Sequence, residues 1–270
     1  MAVKNKSKKK SSSKNNEKNK IELKPERLIF GIIFALIAAI IISSIAISNS
    51  HRKEPQTIYD FGKDVSQGID VSEHNGELDW QKLADEFDFA FIRVGYRGYG
   101  NGDICEDKYA KENLKAAQKA GIPFGVYFYT QAVSEKEAKA EADFVLSMIK
   151  HYDPALPVVI DFEYPTDENG IHTGRLADKH FGAKDNTKII KAFCDRVEDK
   201  GYISGLYASS SVLKNNINLK DISDNTIIWA ADYNEKVTYD IDYTIWQYSK
   251  TGQTEGNGSK YIDLNYWYSK

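Results

Sequence analysis

Short β-branched runs alternate with amphipathic helical stretches through the middle of this 270-residue chain, and few folds accommodate that order. Runs 68–72, 87–96, 122–129, 156–163 and 202–207 read as strands, rich in Val, Ile, Phe and Tyr. Between them, Asp79 is placed to cap a helix, 107–120 keeps helical spacing up to Gly121, and Ser134 with Glu137 forms a capping-box pattern. A further helix spans 185–200 and stops at Gly201. Strand–helix alternation of this kind builds parallel βαβ units. Later runs at 225–233, 243–248 and 261–265 are strand-like but are joined by short loops without helical periodicity. The expected fold is therefore α/β, an irregular TIM-like (β/α) barrel of about eight strands, regular at first and irregular at its end. An open doubly wound sheet is the alternative, and it would spread Asp70, Asp161 and Asp263 along its width instead of gathering them.

The run 156–163 ends in two carboxylates, Asp161 and Glu163. On a strand, residues two apart share a face, so both acids would point to one side and Phe162 to the other. A pair of strand-end acids is often held by local hydrogen bonds with no catalytic part to play. Their neighbours argue for more than that. Other predicted strands end in Asp70, in Arg93 with Tyr96, in Tyr127 with Tyr129, in Trp229 with Asp232 and Tyr233, in Trp246 with Gln247, and in Asp263 with Asn265. In a closed barrel these ends converge on one face. An acidic cup lined with Trp and Tyr suits a sugar polymer, whose apolar faces lie on aromatic rings while carboxylates bind its hydroxyls. Glycosidic hydrolysis needs a carboxyl that stays protonated near neutral pH and a second group to support the cationic centre. Two close carboxylates supply both, since like charges raise one pKa. Glu163, with the longer reach, is expected to carry the proton. Their spacing does not decide the stereochemical outcome.

The N-terminal region is of another kind. Residues 1–27 hold nine Lys and one Arg against three Glu, a composition that cannot bury enough apolar surface to order itself, and this reads as a disordered cytoplasmic tail. Positions 28–47 follow without a charge, long enough for a bilayer-spanning helix. A transmembrane signal anchor at 28–48, a linker at 49–64 and a barrel domain at 65–270 are expected, with the barrel outside the cell because the positive flank stays inside. Cleavage as a signal peptide near Ser44–Ala46 is the competing reading and would give a secreted enzyme. Beyond the tail, 26 basic residues face 36 acidic ones, which argues against nucleic acid as a partner. The glycines at 95, 98, 100 and 102 fit no nucleotide-binding spacing, and the five histidines and two cysteines form no ligand-spaced cluster, so neither cofactor nor metal is expected. Cys194 lies on an apolar helical stripe as a core residue, and no disulfide framework joins it to Cys105.

Taken in order, Gly68-Ile69-Asp70-Val71-Ser72, Asp161-Phe162-Glu163, Trp229-Ala230-Ala231-Asp232-Tyr233, Trp246-Gln247-Tyr248 and Asp263-Leu264-Asn265 resemble the glycoside hydrolase family 25 lysozymes, the Chalaropsis-type muramidases. The resemblance covers about residues 65–270. It implies an irregular β/α barrel, a peptidoglycan hydrolase that cleaves the β-1,4 bond between N-acetylmuramic acid and N-acetylglucosamine. It further implies Glu163 as general acid/base, Asp161 as the group that positions or polarises the substrate acetamido group, and Asp70 and Asp263 as supporting acids. The chain departs from the family pattern in its N-terminal anchor, in a polar insertion at 164–183, and in lacking a separate wall-binding repeat domain. Topology alone suggests a wall-processing or secretion complex as a partner. A catalytically silent, membrane-tethered wall-binding or scaffold protein is the alternative function. A chitinase-like barrel is disfavoured because Leu156 and Val159 stand where it would want further acids.

Overall fold

The structure, a computed structural model, describes residues 55–269. The expected basic tail, the membrane span at 28–48 and the first part of the linker lie outside the described residues. Among those described, no helix is long and apolar enough to cross a membrane.

Nine strands form one sheet: β1 (Val65–Val71), β2 (Phe89–Arg97), β3 (Ile104–Glu106), β4 (Phe124–Tyr129), β5 (Val158–Asp161), β6 (Ser204–Ser209), β7 (Ile227–Ala231), β8 (Ile245–Gly252) and β9 (Ile262–Tyr268). Their order is β1-β9-β8-β7-β6-β5-β4-β2-β3, and β1 also pairs with β2, so eight strands close into a barrel with β3 added outside it. From β1 through β2, β4, β5, β6 and β7 to β8 every neighbour is parallel. Strand β9 runs antiparallel to both β8 and β1.

That last strand corrects the TIM-like expectation. The barrel is closed and α/β, but it is not a repeated (β/α)₈ unit. No helix separates β7 from β8 or β8 from β9; residues 232–244 still carry the chain back to a parallel β8, whereas the shorter connection 253–261 returns β9 antiparallel, because a parallel return needs a long crossover. The crossovers of the first half are helical: α1 (Trp80–Glu86), α2 (Ala110–Ala120), α3 (Glu135–Ile149), then α4 (Gly174–Lys179) with α5 (Ala183–Glu198), and the short α6 (Ser210–Asn215). Asp79 caps α1 by accepting from Lys82 N–H, and Gly121 ends α2 at φ 77°, where a side chain would be strained. Ser134 caps α3 through Glu137 N–H, but the Glu137 carboxylate bonds the N–H of Val133 and Arg175 in place of closing a capping box.

Two apolar cores follow from the alternation of strand side chains. Outward residues such as Ile92, Val126, Val158 and Ile160 pack under α2, α3 and α5 with Leu114, Val145 and Phe193. Inward residues Phe89, Phe91, Val159, Trp229 and Trp267 fill the barrel itself. Gly68 and Gly125 make room for this filling, since a Cβ at either would run into the ring of Phe89 or Phe91 respectively. Cys105 and Cys194 are both free, and Cys194 is buried, with burial pushing its thiol up to about 12.

Candidate active site

The barrel interior changes character along its axis. Its lower layer is aromatic and aliphatic, while the layer at the carboxyl ends of the parallel strands is polar and opens into a cavity of about 550 Å³. Asp70, Arg93, Tyr96, Tyr127, Tyr129, Asp161, Glu163, Trp229, Gln247 and Asp263 all line this cavity. Tyr233 stands at its rim, half exposed, with its hydroxyl donating to Gln247 Oε1 at 2.7 Å.

Two residues named from the sequence do not reach the cavity. Asp232 accepts from Ser210 Oγ (2.6 Å), Asn234 Nδ2 (2.6 Å) and Thr238 N–H (2.8 Å); burial pushes its carboxyl up, but these donors outweigh it and hold it at about 2. Trp246 points to the outer face of β8 and donates from its indole to the Asp232 carbonyl at 2.7 Å. Together they shape the turn that carries Tyr233. Conversely, the cavity is also lined by Glu73, His74, Tyr99, Pro165 and Tyr207, which the sequence pattern did not single out. Tyr207 had a signal, standing as an aromatic at the end of a predicted strand. Tyr99 and Pro165 sit on loops, and Glu73 and His74 on a single 3-10 turn (Glu73–Asn75), too short for periodicity to show.

Asp70 and Asp263 face each other directly across the β1–β9 pairing. Asp70 Oδ2 accepts from Gln247 Nε2 at 2.9 Å and from Asn265 Nδ2 at 2.8 Å, and Asn265 in turn accepts from the Trp229 indole at 2.9 Å. Burial raises Asp70 to about 6 despite these donors. Asp263 is raised further, to about 8, by burial and then by the Asp70 charge. Gln247 is the junction of this layer, because its Oε1 also accepts from Tyr207 OH at 2.9 Å.

Asp161 and Glu163 occupy the opposite side. Strand β5 ends at Asp161, so Glu163 lies one step past the sheet, and strand alternation alone does not place it. Burial raises Asp161 well above the ordinary carboxylate range, with the Glu163 and Asp70 charges adding to the effect. Its Oδ1 is buried and has no hydrogen-bond partner in the protein. Burial likewise raises Glu163, against the nearby Tyr207 hydroxyl and the Lys250 charge, which favour the ionised form. Tyr127 and Tyr207 are both raised well above 10 by burial, so they stay protonated donors.

Arg93, an unusual charge for a core strand, is paired. Its Nε donates to Asp107 Oδ2 at 2.8 Å, its Nη2 lies 3.1 Å from Glu73, and its guanidinium sits over the Tyr96 ring. It holds the β2 side of the cavity rather than standing as a free cation. Among the described residues no group of three or more His, Cys, Asp or Glu is arranged to hold a metal ion.

Four carboxyls with raised pKa values, aromatic walls and a mouth at the barrel's carboxyl end are the arrangement of a glycosidase. Residues 69–257 match the model of glycosyl hydrolases family 25, and the chain belongs to that family. The modular autolysin LytC from Streptococcus pneumoniae is 29% identical, with a TM-score of 0.64 over 76% of this chain and 47% of its own, so the chain spans about half of that protein. LytC is also known in complex with a synthetic peptidoglycan ligand. The lysozyme from Streptomyces coelicolor, 24% identical over 74% of this chain and 90% of its own, shares the fold at a TM-score of 0.60. The uncharacterized protein YegX of Escherichia coli K12 is 26% identical over 73% of this chain and 68% of its length.

Proposed function

We propose that this protein is a peptidoglycan hydrolase, an N-acetylmuramidase that cleaves the β-1,4 bond between N-acetylmuramic acid and N-acetylglucosamine. The observation that carries this reading is the unpartnered Oδ1 of Asp161 beside Glu163. A buried carboxyl oxygen without a donor is costly, and a substrate N–H offered from the cavity removes that cost. The acetamido group of an N-acetylated sugar supplies such a donor next to the anomeric carbon. The complex of the related autolysin with a synthetic peptidoglycan ligand supports the same substrate class.

In this account Glu163, whose carboxyl is pushed up by burial, delivers a proton to the glycosidic oxygen as the bond breaks. Asp161 accepts the acetamido N–H and so positions or polarises that group against the developing positive centre. Asp70 and Asp263, sharing protons across β1 and β9, keep the far wall of the cavity hydrogen-bonded without adding a full pair of charges. Tyr96, Tyr127, Tyr129, Trp229, Tyr233, Gln247 and Arg93 shape the cup around the sugar rings. Asp232 and Trp246 act from behind, through the turn that carries Tyr233.

Residues 28–48 are proposed to anchor the chain in the cell membrane as a single span, with the N-terminus cytoplasmic and the barrel outside among the glycan strands. A wall-processing or secretion complex in the same membrane is the proposed protein partner. The activity is tested by release of soluble muropeptides from purified peptidoglycan. The full chain releases them and Glu163→Gln does not; equal release by both would reject the assignment of Glu163.

A further inference from the structure

Because β5 stops at Asp161, the ladder does not hold Glu163. Phe162 N–H still bonds to the Tyr207 carbonyl at 2.8 Å, but the following residue has left the sheet. Its backbone is caught by Gln131, a fully buried side chain on the loop leaving β4. Gln131 Nε2 donates to the Glu163 carbonyl at 3.3 Å and to the Thr130 carbonyl at 2.9 Å. The adjacent Thr130 N–H donates to the Asp161 carbonyl at 3.0 Å. Two consecutive residues of one loop therefore hold the backbone beneath both carboxylates.

The other end of the Gln131 amide faces the insertion. Its Oε1 accepts from Leu176 N–H at 3.3 Å in α4. Arg175 Nη1 donates to the Gln131 carbonyl at 3.0 Å, and the same guanidinium makes a two-pronged pair with Glu137 on α3 at 2.8 and 3.1 Å. Gly174, at φ 85°, has no side chain, and a Cβ there would lie 2.8 Å from Gln131 Oε1.

We infer that Gln131 is a positioning residue for Glu163 and that the 164–183 insertion is the brace that sets Gln131. The inference rests on the reading of Glu163 as proton donor. An amide presents donors at one atom and an acceptor at the other, and this junction needs both. Met at 131 keeps the length and loses both functions. A proton donor displaced by even a fraction of an ångström loses much of its effect. Glu163 is faced by Asp70 from β1, Tyr129 from β4, Tyr207 from β6, Lys250 from β8 and Asp263 from β9. Asp161 and Tyr233 complete its charged and titratable surroundings. None of these is altered by a change at Gln131.

The test compares Gln131→Met, Arg175→Ala and Glu163→Gln with the full wild-type chain. For Gln131→Met, kcat on peptidoglycan falls about 10- to 100-fold while KM stays within about threefold. The Glu163 carboxyl, followed by ¹³C NMR as the signal absent from Glu163→Gln, titrates lower than in wild type, because a carboxyl released from its buried seat gains water. Arg175→Ala shows the same changes in smaller measure. An unchanged kcat together with an unchanged Glu163 titration in Gln131→Met overturns the inference, as does a loss of kcat that only tracks the loss of folded protein. If the wild-type chain cleaves no peptidoglycan and Gln131→Met still moves the Glu163 titration, the positioning role stands and the proposed activity falls. If Glu163→Gln is inactive and Gln131→Met behaves as wild type, the reverse holds.

Discussion

Replacing Asp263 with Asn removes one titrating acid from the cavity wall and keeps its shape. In the fold Asp263 titrates at about 8, against 3.8 for the free side chain, because it is buried beside Asp70. Below pH 3.8 both folded and unfolded chains hold this proton, and the neutral acid is tolerated. As pH rises toward 8 the unfolded chain releases the proton while the folded chain keeps it, so stability falls throughout that window and the loss is complete above it. Asp70, raised to about 6, adds a loss of the same sign over the lower part of the window. A lone group shifted this far corresponds to at most about 6 kcal/mol. Asp263 retains some water contact and shares its proton with Asp70, which reduces the expected figure to about 2–3 kcal/mol. Thermal denaturation of the full chain, followed by the near-ultraviolet circular dichroism of the barrel aromatics, reads the effect. Between pH 4.5 and 8.5, Asp263→Asn gains about 5–10 °C in Tm relative to wild type. A difference in Tm that is the same at both pH values would refute the reasoning.

Other perturbations follow from the same structure. Arg97 is buried against Glu141, whose carboxyl also accepts from Thr130 Oγ1 at 2.7 Å, and it also donates to the Gly102 and Glu137 carbonyls. Arg97→Met leaves the buried Glu141 carboxyl without its cation, held by the Thr130 hydroxyl alone, and costs about 3–5 kcal/mol, measured as a loss of Tm. Gly125→Ala drives a methyl group into the Phe91 ring and within 2.7 Å of the Pro157 carbonyl, costing about 1–3 kcal/mol by the same assay. Asp161→Asn replaces the acceptor of the substrate N–H with a group that competes as a donor, and kcat falls about 10²- to 10⁴-fold with the fold intact by circular dichroism.

Much of the barrel was legible because its strands are near-continuous apolar runs that end in polar residues. Ile122 to Tyr129 and Leu156 to Asp161 announce both the strand and its functional end. Strand β9 did not announce its direction: Asp263, Asn265 and Trp267 face inward on an antiparallel strand as they would on a parallel one, since alternation has no sign. Strand β3 is three residues inside a loop rich in Gly, Asn and Asp, and it exists only because β2 offers an edge to pair with. Strand ends do not say how a side chain leaves the sheet, so Asp232 and Trp246 were placed in the cavity with Tyr233, although only Tyr233 reaches its rim. Glu163 shares the cavity with Asp161 because Gln131, thirty-two residues away, holds its backbone there. Such long-range hydrogen bonds leave no periodic trace.

The central claim is that Glu163 donates a proton to the bond on the reducing side of N-acetylmuramic acid. Peptidoglycan digested by the full chain, reduced with borohydride and hydrolysed, is analysed for the sugar alcohol at each new chain end. The account predicts muramitol, in amounts that rise with digestion and vanish with Glu163→Gln. Glucosaminitol as the new end, or muramitol formed equally by Glu163→Gln, would contradict it.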